Sequence, residues 1–136
     1  MDATRTTPWA TPAVRWLALL LLCAAYLQGP AAKLTDFPAA LAEMRHFGLT
    51  PAPLFAAGVI AFELAASLMI LTDLRRGPAA LALAAFTLAA TFLALRFWEL
   101  PAGMERTMAA NAFFEHLGLA GGFVLVAWHA ANDPAS

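Results

Sequence analysis

Four runs of mainly apolar residues dominate this chain, at about 13–32, 54–72, 79–97 and 108–131. Each is long enough to cross the ~30 Å hydrocarbon core of a bilayer, which takes about 20 residues of helix. Backbone inside lipid must satisfy its own hydrogen bonds, so helices and closed barrels are the structures that can span it. None of the runs shows the period-two alternation of a barrel strand. The pattern therefore predicts an all-α protein, a bundle of four transmembrane helices forming one domain. Composition agrees: 62% of the 136 residues are hydrophobic and 12% are charged, against about 25% charged in soluble domains. A net charge of -1 supplies no basic field for nucleic acid, so the partner to expect first is the lipid bilayer.

Punctuation between the runs sets the helix ends. Pro30 is expected to bend or end the first helix. Pro51 and Pro53 precede the second, Asp73 follows it, Gly77-Pro78 introduces the third, and Pro134 lies beyond the fourth. Arg5 and Arg15 before the first run and Ala31-Ala32 after it imitate a signal peptide, but three further runs of the same kind make it the first span. Leu22 is too large for the position before a lipid-modified Cys23. As the one cysteine, Cys23 also excludes an internal disulfide, a C-x-x-C pair and a cysteine-based zinc site. Between the first two spans, residues 37–47 carry Phe37, Leu41, Met44 and Phe47 at three- or four-residue spacing, with Glu43, Arg45 and His46 as polar positions. This predicts a short amphipathic helix, capped by Thr35-Asp36 with Pro38 in its first turn. It is either an interfacial connector or a lid over the bundle.

Orientation comes from the cations. Arg5, Arg15, Arg75 and Arg76 share one side; Lys33, Arg45, Arg96 and Arg106 share the other. Lys33 and Arg96 sit at helix ends and are expected to point inward. Discounting them places both termini in the cytoplasm. Trp9, Trp16, Trp98 and Trp128 fall near span ends, as interfacial belts do.

Ionisable groups within apolar sequence mark function or a paired interior, and here they recur. Lys33-Leu34-Thr35-Asp36-Phe37-Pro38-Ala39 and Arg96-Phe97-Trp98-Glu99-Leu100-Pro101-Ala102 share the pattern cation-x-x-acid-apolar-Pro-Ala. Each precedes an apolar helix with a Phe-Glu pair, Phe62-Glu63 and Phe114-Glu115. The repeat suggests two parallel two-helix halves related by an axis along the membrane normal. The cations would lie near the outer surface, and the carboxylates roughly 15 Å deep at 1.5 Å per residue. Glu63 is either a proton carrier or polar ligand, or a structural partner of Lys33 or Arg96. On the last helix Asn111, Glu115, Gly118 and Gly122 share one face. Gly118 and Gly122 form a G-x-x-x-G pair suited to close helix packing. His116 is a proton donor or acceptor candidate or a packed interfacial histidine. No Glu-x-x-His or His-x-x-x-His spacing supports a metal site.

Several stretches taken together resemble the DoxX family of small four-helix membrane proteins. They are Gly29-Pro30-Ala31-Ala32-Lys33-Leu34-Thr35-Asp36-Phe37-Pro38, Phe62-Glu63-Leu64, Arg96-Phe97-Trp98 and Asn111 to Gly122. The resemblance implies a bacterial inner-membrane protein. It also implies kinship with DoxD-type subunits associated with thiosulfate oxidation coupled to quinone reduction. The family pattern often has His before the Phe-Trp pair, where this chain has Arg96. Vitamin K epoxide reductases, a second four-helix family, work through a C-x-x-C pair that this chain lacks.

Three functions are expected. In the first, the chain is a subunit or accessory of a quinone-linked membrane oxidoreductase. Lys33, Arg96 and Asn111 would bind the head group, Glu63, Glu115 or His116 would handle protons, and electrons would come from a partner subunit or soluble donor. In the second, it is a non-enzymatic anchor whose buried charges lock its halves together. In the third, it is a small proton-linked transporter, which a chain of this size would form as a homo-oligomer.

Overall fold

The structure, a computed structural model, describes residues 7–133; Arg5 and Pro134 lie outside the described residues. Five α-helices succeed one another: α1 (Pro12–Thr35), α2 (Phe37–His46), α3 (Ala52–Leu71), α4 (Arg76–Ala94) and α5 (Met104–Ala131). A 3-10 turn, Phe97–Glu99, joins the last two. Four of the helices are long and apolar enough to cross a membrane, and the chain is a multi-pass membrane protein. The long helices alternate in direction. α4 packs most extensively on α5, α1 on α3, and α3 joins the two pairs, while α1 and α5 touch only lightly.

The differences from the expected boundaries have local causes. α1 continues through Pro30 to Thr35 instead of ending near residue 32. Pro30 is buried, and packed surroundings let membrane helices tolerate a missing backbone donor. The hydroxyl of Thr35 then donates to the Ala31 and Ala32 carbonyls, and Asp36 ends α1 while capping α2 through the Ala39 N–H. α4 begins at Arg76, three residues before the expected start, because Arg75 turns the chain with a left-handed φ of 49°. It ends at Ala94, so Phe97 belongs to the separate turn. α5 starts at Met104, directly after Gly103 at φ 150°, a backbone angle that suits glycine.

The core lies on the axis between all four spans. Tyr26 of α1 meets Phe123 of α5 edge-to-face at 5.2 Å, among buried Cys23, Ile70 and Leu83. The Tyr26 hydroxyl donates to Thr87 Oγ1, whose own proton goes to the Leu83 carbonyl at 2.7 Å. α1 approaches α5 where Gly122 admits Leu22: a Cβ at Gly122 would stand 3.1 Å from Leu22 Cδ1. At the far end α2 seats Ala40 and Met44 on Ala52 and Ala56 of α3, with Phe37 and Leu41 beside them. Glu43, Arg45 and His46 stay exposed. The amphipathic helix therefore packs its apolar face on α3 and keeps its polar face outward.

Gly122→Val should overpack this contact and lower stability by about 1–3 kcal/mol, read as a fall in Tm in detergent. Adding Leu22→Ala should recover most of the loss. A double variant no more stable than Gly122→Val would show that the contact does not set the α1–α5 spacing.

Candidate functional site

The end of the bundle opposite the termini holds a cavity of about 340 Å³. α1 contributes Lys33, α2 contributes Glu43 and Met44, with Phe47 at its C-cap, and α3 contributes Phe55, Val59 and Glu63. α4 closes it with Phe86, Ala89, Ala90 and Leu93. Apart from three ionisable side chains these walls are apolar. Glu63 is 7% exposed and lies eleven residues into α3, roughly 16 Å along the helix. Its neighbour Phe62 stacks on Phe86 at 5.1 Å, which fixes the spacing of α3 and α4 beside the cavity.

Gly29 makes the room that Glu63 occupies. It sits one turn below Lys33, on the same face of α1. A Cβ there would stand 3.1 Å from Glu63 Oε2 and 3.9 Å from Lys33 Nζ. Both charged atoms thus reach the same small space above the glycine. Yet no ion pair joins them, and neither side chain has a hydrogen bond among the described residues. A polar group entering this space would meet both charged side chains. Lys33 can only donate and a carboxylate can only accept, so a group that both accepts and donates, or that exchanges a proton with Glu63, suits it. Glu43 lines the same cavity from its exposed position on α2.

The other expected site residues are placed elsewhere. Arg96 does not point inward: it is exposed and pairs with Glu99 of its own motif at 3.4 Å. It borders an outer hollow that also includes Phe47 and Leu93, residues that face the cavity from their other side. Asn111 and Glu115 are exposed on the outer face of α5, away from Glu63 and Lys33. Glu115 is also shallower than helix counting implied. Its neighbour His116 bonds Thr91 through Nδ1 at 3.1 Å, three residues or about 4.5 Å from the end of α4. α5 simply begins further out than α3. The Thr91 hydroxyl gives its proton to the Thr87 carbonyl at 2.6 Å, so Thr91 accepts and His116 Nδ1 carries the donated proton. That places His116 as a tie between α4 and α5. Of the two glycines in the G-x-x-x-G pair, Gly122 packs on Leu22, while a Cβ at Gly118 would meet nothing within 4 Å.

The cavity therefore unites Lys33 and Glu63 and excludes Arg96, Asn111, Glu115 and His116. Glu43 and Gly29 were missed as site residues. The signal for Gly29 was its four-residue spacing from Lys33; Glu43 read as one more polar position on an amphipathic helix. Among the described residues no group of three His, Cys, Asp or Glu side chains could hold a metal ion.

No curated relative and no solved structure matches the chain. The DoxX family model matches residues 15–96, a stretch that includes every residue of the cavity. That is more than half of the 136 residues, and the chain belongs to the DoxX family.

Proposed function

We propose that this protein is the quinone-binding membrane component of an oxidoreductase system, and that the cavity under α2 receives the head group. One observation carries the reading: Lys33 and Glu63 converge on one small space without contacting each other, inside an otherwise apolar cavity. Binding pockets for lipophilic molecules have this form, a mainly apolar enclosure of about 300–1,000 Å³ with a few placed polar groups. A structural ion-pair lock would instead bring the two charges into contact, since unpaired buried charge is strongly unfavourable. The donor set also fits. Lys33 would donate a hydrogen bond to a ring oxygen, and Glu63 would hold or accept the proton at that oxygen. Phe55, Phe86 and Leu93 would flank the ring, and the α3–α4 side would pass its isoprenoid tail to lipid.

A bound quinone supplies two-electron, two-proton redox chemistry. The chain's own contribution is to bind, orient and move protons, and electrons arrive from a partner subunit or a soluble donor. Glu43, between Glu63 and the outer surface, gives protons a route to water. In this reading the protein lies in a bacterial inner membrane with both termini cytoplasmic, and the cavity opens in the opposite half.

Titration of the purified protein with a short-chain ubiquinone analogue tests the reading. Saturable binding is expected. Lys33→Met should weaken it about tenfold or more, the loss of a charge-assisted hydrogen bond of about 1.5–3 kcal/mol. Absence of binding by the wild-type protein would remove the proposal.

Glu63→Gln keeps shape and removes proton transfer. Binding should persist, while quinone reduction by the reconstituted system should slow by about 10²-fold or more. Equal rates for the variant and the wild type would exclude Glu63 as the proton group.

Gly29→Val should fill the space shared by Lys33 and Glu63. The expected result is loss of analogue binding in protein that stays folded, with a fall in Tm no larger than that of Gly122→Val, since the added Cβ stands the same 3.1 Å from its nearest neighbour in both. Unimpaired binding would place the head group elsewhere.

A further inference from the structure

The end of the bundle that carries both termini holds features that the quinone reading does not use. α1 and α5 touch at Leu22 and Gly122 and part toward this end. Two adjoining cavities of about 630 and 650 Å³ open there. They share four residues, Arg15, Ala18, Leu19 and Arg76.

Arg76 is 9% exposed and held rigidly. Its Nε donates to the Ile70 carbonyl at 2.7 Å, and its Nη1 lies 3.4 Å from Asp73 Oδ1. Arg15 faces the same cavities from α1, and its side chain has no hydrogen bond or ion pair among the described residues. Two guanidinium groups in one cleft repel. Asp73 offsets Arg76, and Asp133 borders the second cavity on the α5 side. The positive charge left without a described partner is that of Arg15.

The walls define the kind of anion. Trp16 is anchored by a hydrogen bond from Nε1 to the Leu71 carbonyl at 3.3 Å. Trp128 stands across the second cavity. Paired tryptophans at this level mark the membrane–water interface. Below the arginines the lining turns apolar, with Ala18, Leu19 and Val126. A soluble anion has no use for that floor, whereas an amphiphile does. Basic pockets between membrane helices bind lipid head groups in this manner.

We propose that the α1–α5 cleft binds one anionic phospholipid, with its phosphate between Arg15 and Arg76 and the start of an acyl chain over Ala18 and Leu19. The test is native mass spectrometry of the full chain released from detergent, with dioleoyl phosphatidylglycerol as the added lipid. One lipid per chain should be retained. Arg15→Gln should reduce its affinity about fivefold, whereas Arg15→Lys should keep it, because a point charge also serves a phosphate. Ala18→Phe, which fills the floor and leaves both charges, should expel the lipid. Retention unchanged in either Arg15→Gln or Ala18→Phe overturns the proposal. Release of the lipid by excess inorganic phosphate would also overturn it, reassigning the arginines to a soluble anion.

Discussion

Hydrocarbon offers no hydrogen bonds, and this constraint orders the polar groups that tie α4 to its neighbours. Threonines on α4 return their protons to carbonyls one turn back, Thr87 to Leu83 and Thr91 to Thr87. This common device hides a hydroxyl within a helix. Each then has a free lone pair facing a neighbour. Thr87 accepts from Tyr26 of α1 and Thr91 from His116 of α5. Helices α1 and α5 are thus tied to α4 by side chains whose alternative is exposure to lipid. Arg76 is handled likewise, by the Ile70 carbonyl and Asp73. Against this background Glu63 stands out. It is as buried as the core yet has no hydrogen bond or ion pair among the described residues, and the cavity beside it is the place where such a partner can enter.

Architecture was legible because it depends on length and periodicity. Four spans and a short amphipathic helix can be read from the positions of apolar residues, and proline and glycine mark most of the breaks. Boundaries were less legible where tertiary packing overrides a local signal. Pro30 reads as a terminator, but a proline buried against neighbours does not terminate α1. The start of α4 depends on the left-handed backbone at Arg75, a conformation with no reliable signature in a non-glycine residue.

The site was half legible. Lys33 and Glu63 announce themselves as charges in apolar sequence, and the cavity unites them. Glu115 announces itself equally well, but charge in a span does not reveal which side of the helix faces the bundle. Counting from a helix start also misplaces depth when helices begin at different heights. The aromatic cluster of Phe92, Trp98 and Phe113 sets α5 so that its first turns project beyond α4. Glu115 therefore falls near the interface, where a carboxylate can reach water. Glu63 lies deeper, in the cavity lined by α2, and is only 7% exposed.

The two copies of the repeated motif explain why one half builds a site and the other does not. In the first copy the acid is Asp36. Its short side chain reaches the Ala39 N–H and caps α2, which is what aspartate does well at a helix start. That leaves Lys33 without an acidic partner in its own motif and directs it down α1 toward Gly29. In the second copy the acid is Glu99, one methylene longer. It caps no helix and instead reaches back three residues to Arg96. After Pro101 the chain meets Gly103 rather than a helix-forming run, so no counterpart of α2 forms, and Phe97, Trp98 and Phe113 fill the corresponding space. The same pattern of cation, acid and proline thus yields a covered cavity with an uncommitted lysine in one half, and a closed aromatic plug with a paired arginine in the other. The difference rests on the length of one carboxylate side chain and on whether the proline leads into a helix or into a glycine turn.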